Sequence, residues 1–176
     1  MTAPLIRHAI LDDVDLLCHL GATTFRDTYR PITDAAELED YVATQFTPTK
    51  VQAWLRDPRA RTLLAFAAGA PAGYAHVRAA PVPACVADRR AIELSRLYLL
   101  ASAQGTGLGS ALMDAALAQA AALGGRTVWL GAYDRNLKAL DFYSRRGFVQ
   151  VGTHEFEFGG QIHADPVLIR AVTAAA

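Results

Sequence analysis

Gln104-Gly105-Thr106-Gly107-Leu108-Gly109-Ser110 is the stretch on which the reading of this chain turns. It follows an apolar strand candidate, Ala91–Leu100, and opens an alanine-rich helix that runs to Leu123 and is closed by Gly124-Gly125. Glycines let a backbone approach an anion closely, and a helix N-terminus offers unpaired N–H groups and the positive end of a dipole. A glycine in the first helical turn costs about 1 kcal/mol relative to alanine, so glycines at 105, 107 and 109 require a reason. An anion site supplies one; a tight turn that binds nothing is the plainer alternative.

Two common phosphate loops do not fit. A dinucleotide fingerprint needs a third glycine where Ser110 stands, and it follows the first strand of its domain rather than the fourth. A nucleoside-triphosphate loop needs Gly-Lys followed by Ser or Thr, which this sequence lacks.

Working outward, Leu5–Ile10 reads as a strand leading into a helix begun by Asp12 and Asp13, with Val14, Leu17, Cys18 and Gly21 at helical spacing. Pro31 ends it. Asp34 is an N-cap for a helix holding Leu38, Tyr41 and Val42, and Thr47-Pro48 starts a third that stops before Pro58. Thr62–Ala68 and Ala72–Arg78 form a hairpin around Gly69-Ala70-Pro71, followed by a loop containing Pro81 and Pro83. Within Ala91–Leu100, Glu93, Ser95, Leu97 and Leu99 alternate as one face of a strand. After the glycine loop and its helix come a strand at Thr127–Tyr133 and a helix at Asn136–Arg146. Phe148–Phe158 and His163–Val172 then pair around Gly159-Gly160. This order predicts one α/β (α+β) domain over residues 1–176. Its mixed, mostly antiparallel sheet has about seven strands, and the strand–helix–strand segment supplies the parallel pair.

Composition narrows the partners. Lysine plus arginine equals aspartate plus glutamate at 17 each, which gives no electrostatic case for nucleic acid or an anionic membrane surface. A local basic patch remains compatible with an anionic cofactor. Half of the chain is hydrophobic, at 52%, enough for a packed core. Cys18 and Cys85 are read as reduced thiols, with no disulfide or metal spacing. Met1–Asp13 carries no secretory pattern, and no apolar run is long enough for a bilayer, so a cytoplasmic protein without membrane partners is expected.

Gln104-x-x-Gly107-x-Gly109 resembles the Q/R-x-x-G-x-G/A signature of the GNAT superfamily of N-acetyltransferases. Asn136, Ala139, Phe142-Tyr143 and Gly147-Phe148 resemble that family's next motif, and the element order over Arg61–Arg170 is similar to its fold. Looser similarity to bacterial spermidine/spermine N-acetyltransferases lies in Thr24-Phe25, Tyr29, Glu37–Phe46, Trp129-Leu130-Gly131 and Gly152-Thr153-His154.

The resemblance implies acetyl-CoA as cosubstrate and direct transfer to a primary amine of a small molecule. It places the pyrophosphate on the amides of Gly105, Thr106, Gly107, Leu108, Gly109 and Ser110, with Gln104 beside them. The pantetheine arm runs along Leu97, Tyr98 and Leu99, where an amide near Tyr98 or Leu99 polarises the thioester carbonyl. Asn136 is then a pantetheine ligand or a plain helix cap, and Tyr143 the general acid at the sulfur or a core aromatic beside Phe142. Glu93 is the candidate general base, against a solvent-facing strand carboxylate. His76 and His154 are weaker relays. His154 and His163 are expected to face each other across the last hairpin without a third metal ligand. Neither cysteine offers a covalent nucleophile.

A polyamine acceptor is expected to meet carboxylates along a groove, with Glu37, Glu39, Asp40, Glu155 and Glu157 available. Amino-acid, aminoglycoside and peptide N-terminal amines are the alternatives within the class, and a CoA-binding sensor without catalysis the alternative outside it. A homodimer is compatible with the sequence, which names neither the assembly nor a regulator.

Overall fold

The computed structural model describes residues 4–158 and 161–172. Its sheet has seven strands in the order β1-β2-β3-β4-β5-β7-β6, namely β1 (Leu5–His8), β2 (Ala60–Ala67), β3 (Ala70–Arg78), β4 (Ile92–Leu99), β5 (Thr127–Gly131), β6 (Val149–Phe158) and β7 (Gln161–Ala171). Every neighbouring pair is antiparallel except β4 and β5, which the glycine loop and its helix connect. The mixed seven-stranded fold class expected from the element order is the one observed. The helices are α1 (Val14–Tyr29), α2 (Ala35–Gln45), α3 (Pro48–Arg56), α4 (Leu108–Ala122) and α5 (Leu137–Arg145).

Local chemistry fixes the helix ends. The Asp34 carboxylate accepts from the N–H groups of Ala36 and Glu37, and the Thr47 hydroxyl accepts from Lys50, with Pro48 at the first helical position. At the start of α1 the Asp13 carboxylate accepts two bonds of 2.7 Å from Arg7 and one from the Ile10 N–H, tying β1 to the helix entry. Arg7 holds that carboxyl below the usual aspartate range.

Two cores flank the sheet. One packs α1, α2 and α3 against Leu64 and Tyr74, with Leu17, Leu38 and Val51 almost wholly buried. The other packs α4 against Leu63, Ala65, Ala75 and Val77 through Leu112, Met113, Ala116 and Ala120, and the small alanines let the helix lie close to the strands. A smaller cluster joins Val86 and Ala91 to Trp129 and Val167, so the proline-containing loop covers β5 and β7.

Four details differ from the sequence reading. The first hairpin turns at Ala68 and Gly69, both with positive φ, and Pro71 lies inside β3 opposite Phe66, where a bulge tolerates it. In β4, Ala75 and His76 oppose Leu97 and Arg96, whereas Val77 and Arg78 oppose Leu94 and Glu93. Ser95 is therefore an extra residue, and the alternation changes phase there. Leu94, Leu97 and Leu99 share the α4-side core, while Glu93, Arg96 and Tyr98 line a cavity on the other face. Third, His154 pairs with Asp165 and His163 with Phe156, so the two histidines are not opposite each other. Fourth, β5 ends at Gly131, two residues short of its expected limit at Tyr133. The expected turn at Gly159-Gly160 lies outside the described residues.

Gly21 of α1 tests the packing. A Cβ there would come within 2.4 Å of the Phe46 ring, which is itself held by Phe25, Trp54 and Arg96. Gly to Ala inside a helix ordinarily gains about 1 kcal/mol, but overpacking a held ring costs about 1–3 kcal/mol. Gly21→Ala is therefore expected to lower stability, read as a reduced denaturant midpoint with an unchanged m value.

Candidate active site

The parallel partners β4 and β5 stay in register for only two pairs, Ile92 with Val128 and Glu93 with Trp129. Beyond them β4 continues to Leu99 while β5 ends at Gly131, so the two strands part. Leu100 N–H donates to Ala72 O on β3, and strand alternation turns the N–H and C=O groups of Leu97 and Leu99 the other way, into the gap. The gap opens a cleft of about 580 Å³ between Leu97–Leu99, the glycine loop and α5.

The glycine loop shapes one end of this cleft. Gly105 and Gly107 have φ of +76° and +88°, and Gly107 is the N-cap of α4. The first backbone bond of the helix runs from Ala111 N–H to Gly107 O, so the preceding amides point out of the helix end. Thr106 Oγ1 donates to Ala103 O and accepts from Leu108 N–H at 3.5 Å, and Leu108 is buried, so neither of these two expected residues lines the cleft. Gln104 donates to Leu99 O and accepts from Lys138, linking the loop to β4 and to α5. Lys138, Arg145 and Arg146 bring basic side chains to the same wall, with Arg145 paired with Asp141 and Arg146 with Asp114.

On α5, Asn136 caps the helix by accepting from Ala139 N–H at 3.1 Å and also lines the cleft. Tyr143 lines it too, edge-on to Phe142 and Phe148, and burial pushes its hydroxyl pKa well up.

A second cavity, of about 290 Å³, opens on the opposite face of β4. Tyr29, Tyr98 and Tyr133 border both spaces, so the two meet through the gap in the sheet. The walls of this second cavity are aromatic, with Phe25 stacked on Tyr41 at 4.4 Å and the Tyr29 and Tyr98 hydroxyls 3.3 Å apart. Glu93 lies here, its Oε2 accepting from Arg78 Nε at 2.6 Å. His76 is buried against Thr62 and Trp54, and burial with Arg96 and Arg78 nearby lowers its pKa to about 3, which keeps it neutral.

The family model described as the acetyltransferase (GNAT) family matches residues 23–148. The chain belongs to the GNAT acetyltransferase family. Two uncharacterized N-acetyltransferases, from Mycobacterium tuberculosis and Mycobacterium bovis, are each 34% identical to it over 160 residues, spanning 91% of this chain and 98% of the relative. The PaiA N-acetyltransferase of Thermoplasma acidophilum, solved with coenzyme A, shares the fold at TM-score 0.76 and 18% identity, with 97% of this chain and 99% of that one covered. A putative acetyltransferase from Salmonella typhimurium, solved with acetyl-CoA, aligns at TM-score 0.65 and 16% identity over 99% of this chain and 97% of that one. With the family comes an acetyl-CoA-dependent N-acetyltransferase activity.

In this acetyltransferase the structure brings Leu97, Tyr98, Leu99, Gln104, Gly105, Gly107, Gly109, Ser110, Asn136 and Tyr143 to one cleft. Glu93 lies instead in the adjoining cavity, on the opposite strand face from Leu97 and Leu99. The carboxylates expected to gather for a polyamine do not line that cavity. Glu39 is bound by Arg26 through three contacts of 2.6–3.1 Å, and Asp40, Glu155 and Glu157 are exposed to solvent. Glu37 sits at the capped start of α2, away from the cavity lining. Gly109 also has a different reason for its identity: a Cβ there would press on Leu99 at 3.2 Å, so it serves helix–strand packing. Arg96 and Asp165, which also line the adjoining cavity, escaped the sequence reading, because each shares its strand with other polar residues and so does not stand out.

A side chain at Gly107 would meet no protein atom within 4 Å, yet its φ of +88° is costly for any other residue, about 1–2 kcal/mol. Gly107→Val is expected to weaken acetyl-CoA binding at least tenfold, about 1.4 kcal/mol, in a protein that still melts cooperatively. Calorimetric titration checks it; a folded variant with unchanged affinity would remove the loop from the site.

Proposed function

We propose that residues 1–176 act as one domain that transfers acetyl from acetyl-CoA directly to a primary amine of a small molecule held in the aromatic cavity. The observation that carries the reading is the unpaired edge of β4, which runs between an anion-binding helix end and that cavity. A ligand with a phosphate end and an extended, amide-containing arm complements both features.

In this reading the amides from Gly105 to Ser110, that of Leu108 apart, hold the pyrophosphate, with Lys138 adding positive charge. The arm pairs with Leu97 and Leu99 as an added strand would. Tyr98 lends its side chain to the acceptor wall, while its N–H faces β3 by the same alternation. Polarisation of the thioester carbonyl therefore falls to an amide of the gap-facing set, Leu99 foremost. Asn136 serves as cap and ligand together: its Oδ1 is held by Ala139, its side chain also bonds the Tyr29 hydroxyl, and its second amide hydrogen is left for the arm. Tyr143 supplies a proton to the departing thiolate, and its raised pKa ensures that it carries that proton at neutral pH.

Glu93 is held by Arg78 through a charge-assisted bond, so the two side chains act as an ion pair at the cavity rim. Cys18 and Cys85 line neither space, and burial raises the Cys18 thiol pKa, which supports transfer without a covalent cysteine intermediate.

Tyr143→Phe deletes one hydroxyl and little volume. Its kcat is expected to fall about 10²-fold with KM for acetyl-CoA nearly unchanged, read by thiol release under saturating amine. A loss confined to KM would assign the hydroxyl to binding.

A further inference from the structure

Two opposite charges in the acceptor cavity have no ionic partner within the described residues. Arg96 lies with its guanidinium over the faces of Phe46 and Trp54, 5.0 Å and 4.6 Å from the ring centres. No described carboxylate reaches it within ion-pair distance. Its hydrogen bonds run to the hydroxyls of Tyr41 and Tyr74, neutral partners that leave the positive charge uncompensated, and the planar five-donor fork of the group matches a carboxylate. Asp165 of β7 is 5% exposed, and its Oδ1 is buried without a hydrogen bond. The remaining charged pair of the cavity, Arg78 with Glu93, is already satisfied, and His76 is neutral.

An unpaired buried charge is destabilising, and two of opposite sign in one cavity are best completed by a ligand that carries both complements. We infer that the acceptor of this acetyltransferase is an amine that also bears a carboxylate, an amino-acid-type zwitterion whose carboxylate binds Arg96 and whose ammonium binds Asp165. The inference rests on the acetyl-transfer reading and adds the acceptor class to it. It also accounts for the aromatic walls, which accommodate the apolar part of such a molecule and exclude water.

The chemistry balances without a further reagent. Asp165 takes one proton from the ammonium, and the neutral nitrogen forms the C–N bond while the C–S bond breaks. The sulfur leaves with the Tyr143 proton, and the second proton lost by nitrogen restores Tyr143. Asp165 then releases its proton to solvent. Burial and the nearby charge of Asp134 raise the Asp165 pKa, while His154 opposite on β6, His163 on β7 and the Asp134 N–H oppose that rise. A raised carboxylate pKa means that the folded protein holds the proton more tightly than the unfolded chain. Ionised Asp165 thus costs stability at neutral pH, and the cost fades as pH falls through the raised value.

The test measures kcat/KM for acetyl transfer to matched pairs, α-amino acids, β-alanine and 4-aminobutyrate against their carboxamides, with spermidine as a third arm. We expect at least one carboxylate to exceed its carboxamide tenfold or more, and Arg96→Met to bring that ratio near one. Asp165→Asn should lower kcat/KM tenfold or more while raising the melting temperature at pH 7. A purely structural aspartate would lower both. Carboxamides or spermidine matching the carboxylates, or a preference that survives Arg96→Met in a folded variant, would overturn the inference and leave acetyl transfer intact. Failure of the acetyl-transfer reading is distinct, because the wild type would then acetylate no arm at all, whether or not it binds acetyl-CoA.

Discussion

The early separation of β4 from β5 is the constraint on which the site depends. A sheet normally satisfies interior backbone groups by pairing them, and an exposed edge invites aggregation. Here pairing stops after Glu93 and Trp129, leaving an edge in the middle of the sheet rather than at its rim. The extra residue at Ser95 turns the strand just where the gap begins, and β7 continues to pair with β5 through Gly131. The two cores hold the wedge open from either side, α1–α3 against one face and α4 against the other. A backbone ligand can therefore complete the sheet, and a second molecule can meet its end from the opposite face.

Most of this frame was legible in the sequence because its signals are local. Asp34, Thr47 and Pro48 announce helix starts by chemistry that needs no tertiary partner. The glycines at 105 and 107 announce backbone conformations, and the structure places both at positive φ. The element order then specified the mixed sheet, since a glycine loop with one helix between two strands predicts the parallel pair.

The rest was hidden for equally physical reasons. A bulge is a register event between two strands, so nothing within Ile92–Leu99 reveals that Ser95 is surplus, and strict alternation put Glu93 on the wrong face. The surface carboxylates of α2 and β6 formed a plausible set by type, but their partners depend on tertiary placement, as Arg26 shows for Glu39. Arg96 and Asp165 sit on strands that carry other polar residues, so nothing local marks either of them. Their shared cavity arises only because β4 and β7 are brought together across the short β5.

The division of labour between the two faces of the sheet bears on how such an enzyme diversifies. The aromatic wall comes largely from α1–α3, whereas the glycine loop and α4 belong to the other core. Changes in well-separated regions without shared partners tend to combine additively. Substitutions at Tyr41, Gln45 or Trp54 can thus retune which molecule is accepted with little penalty to the opposite half. Divergent copies of this gene are free to explore new acceptors through those helices while inheriting the same nucleotide-handling apparatus, and a directed-evolution library confined to α2 and α3 would follow the same route.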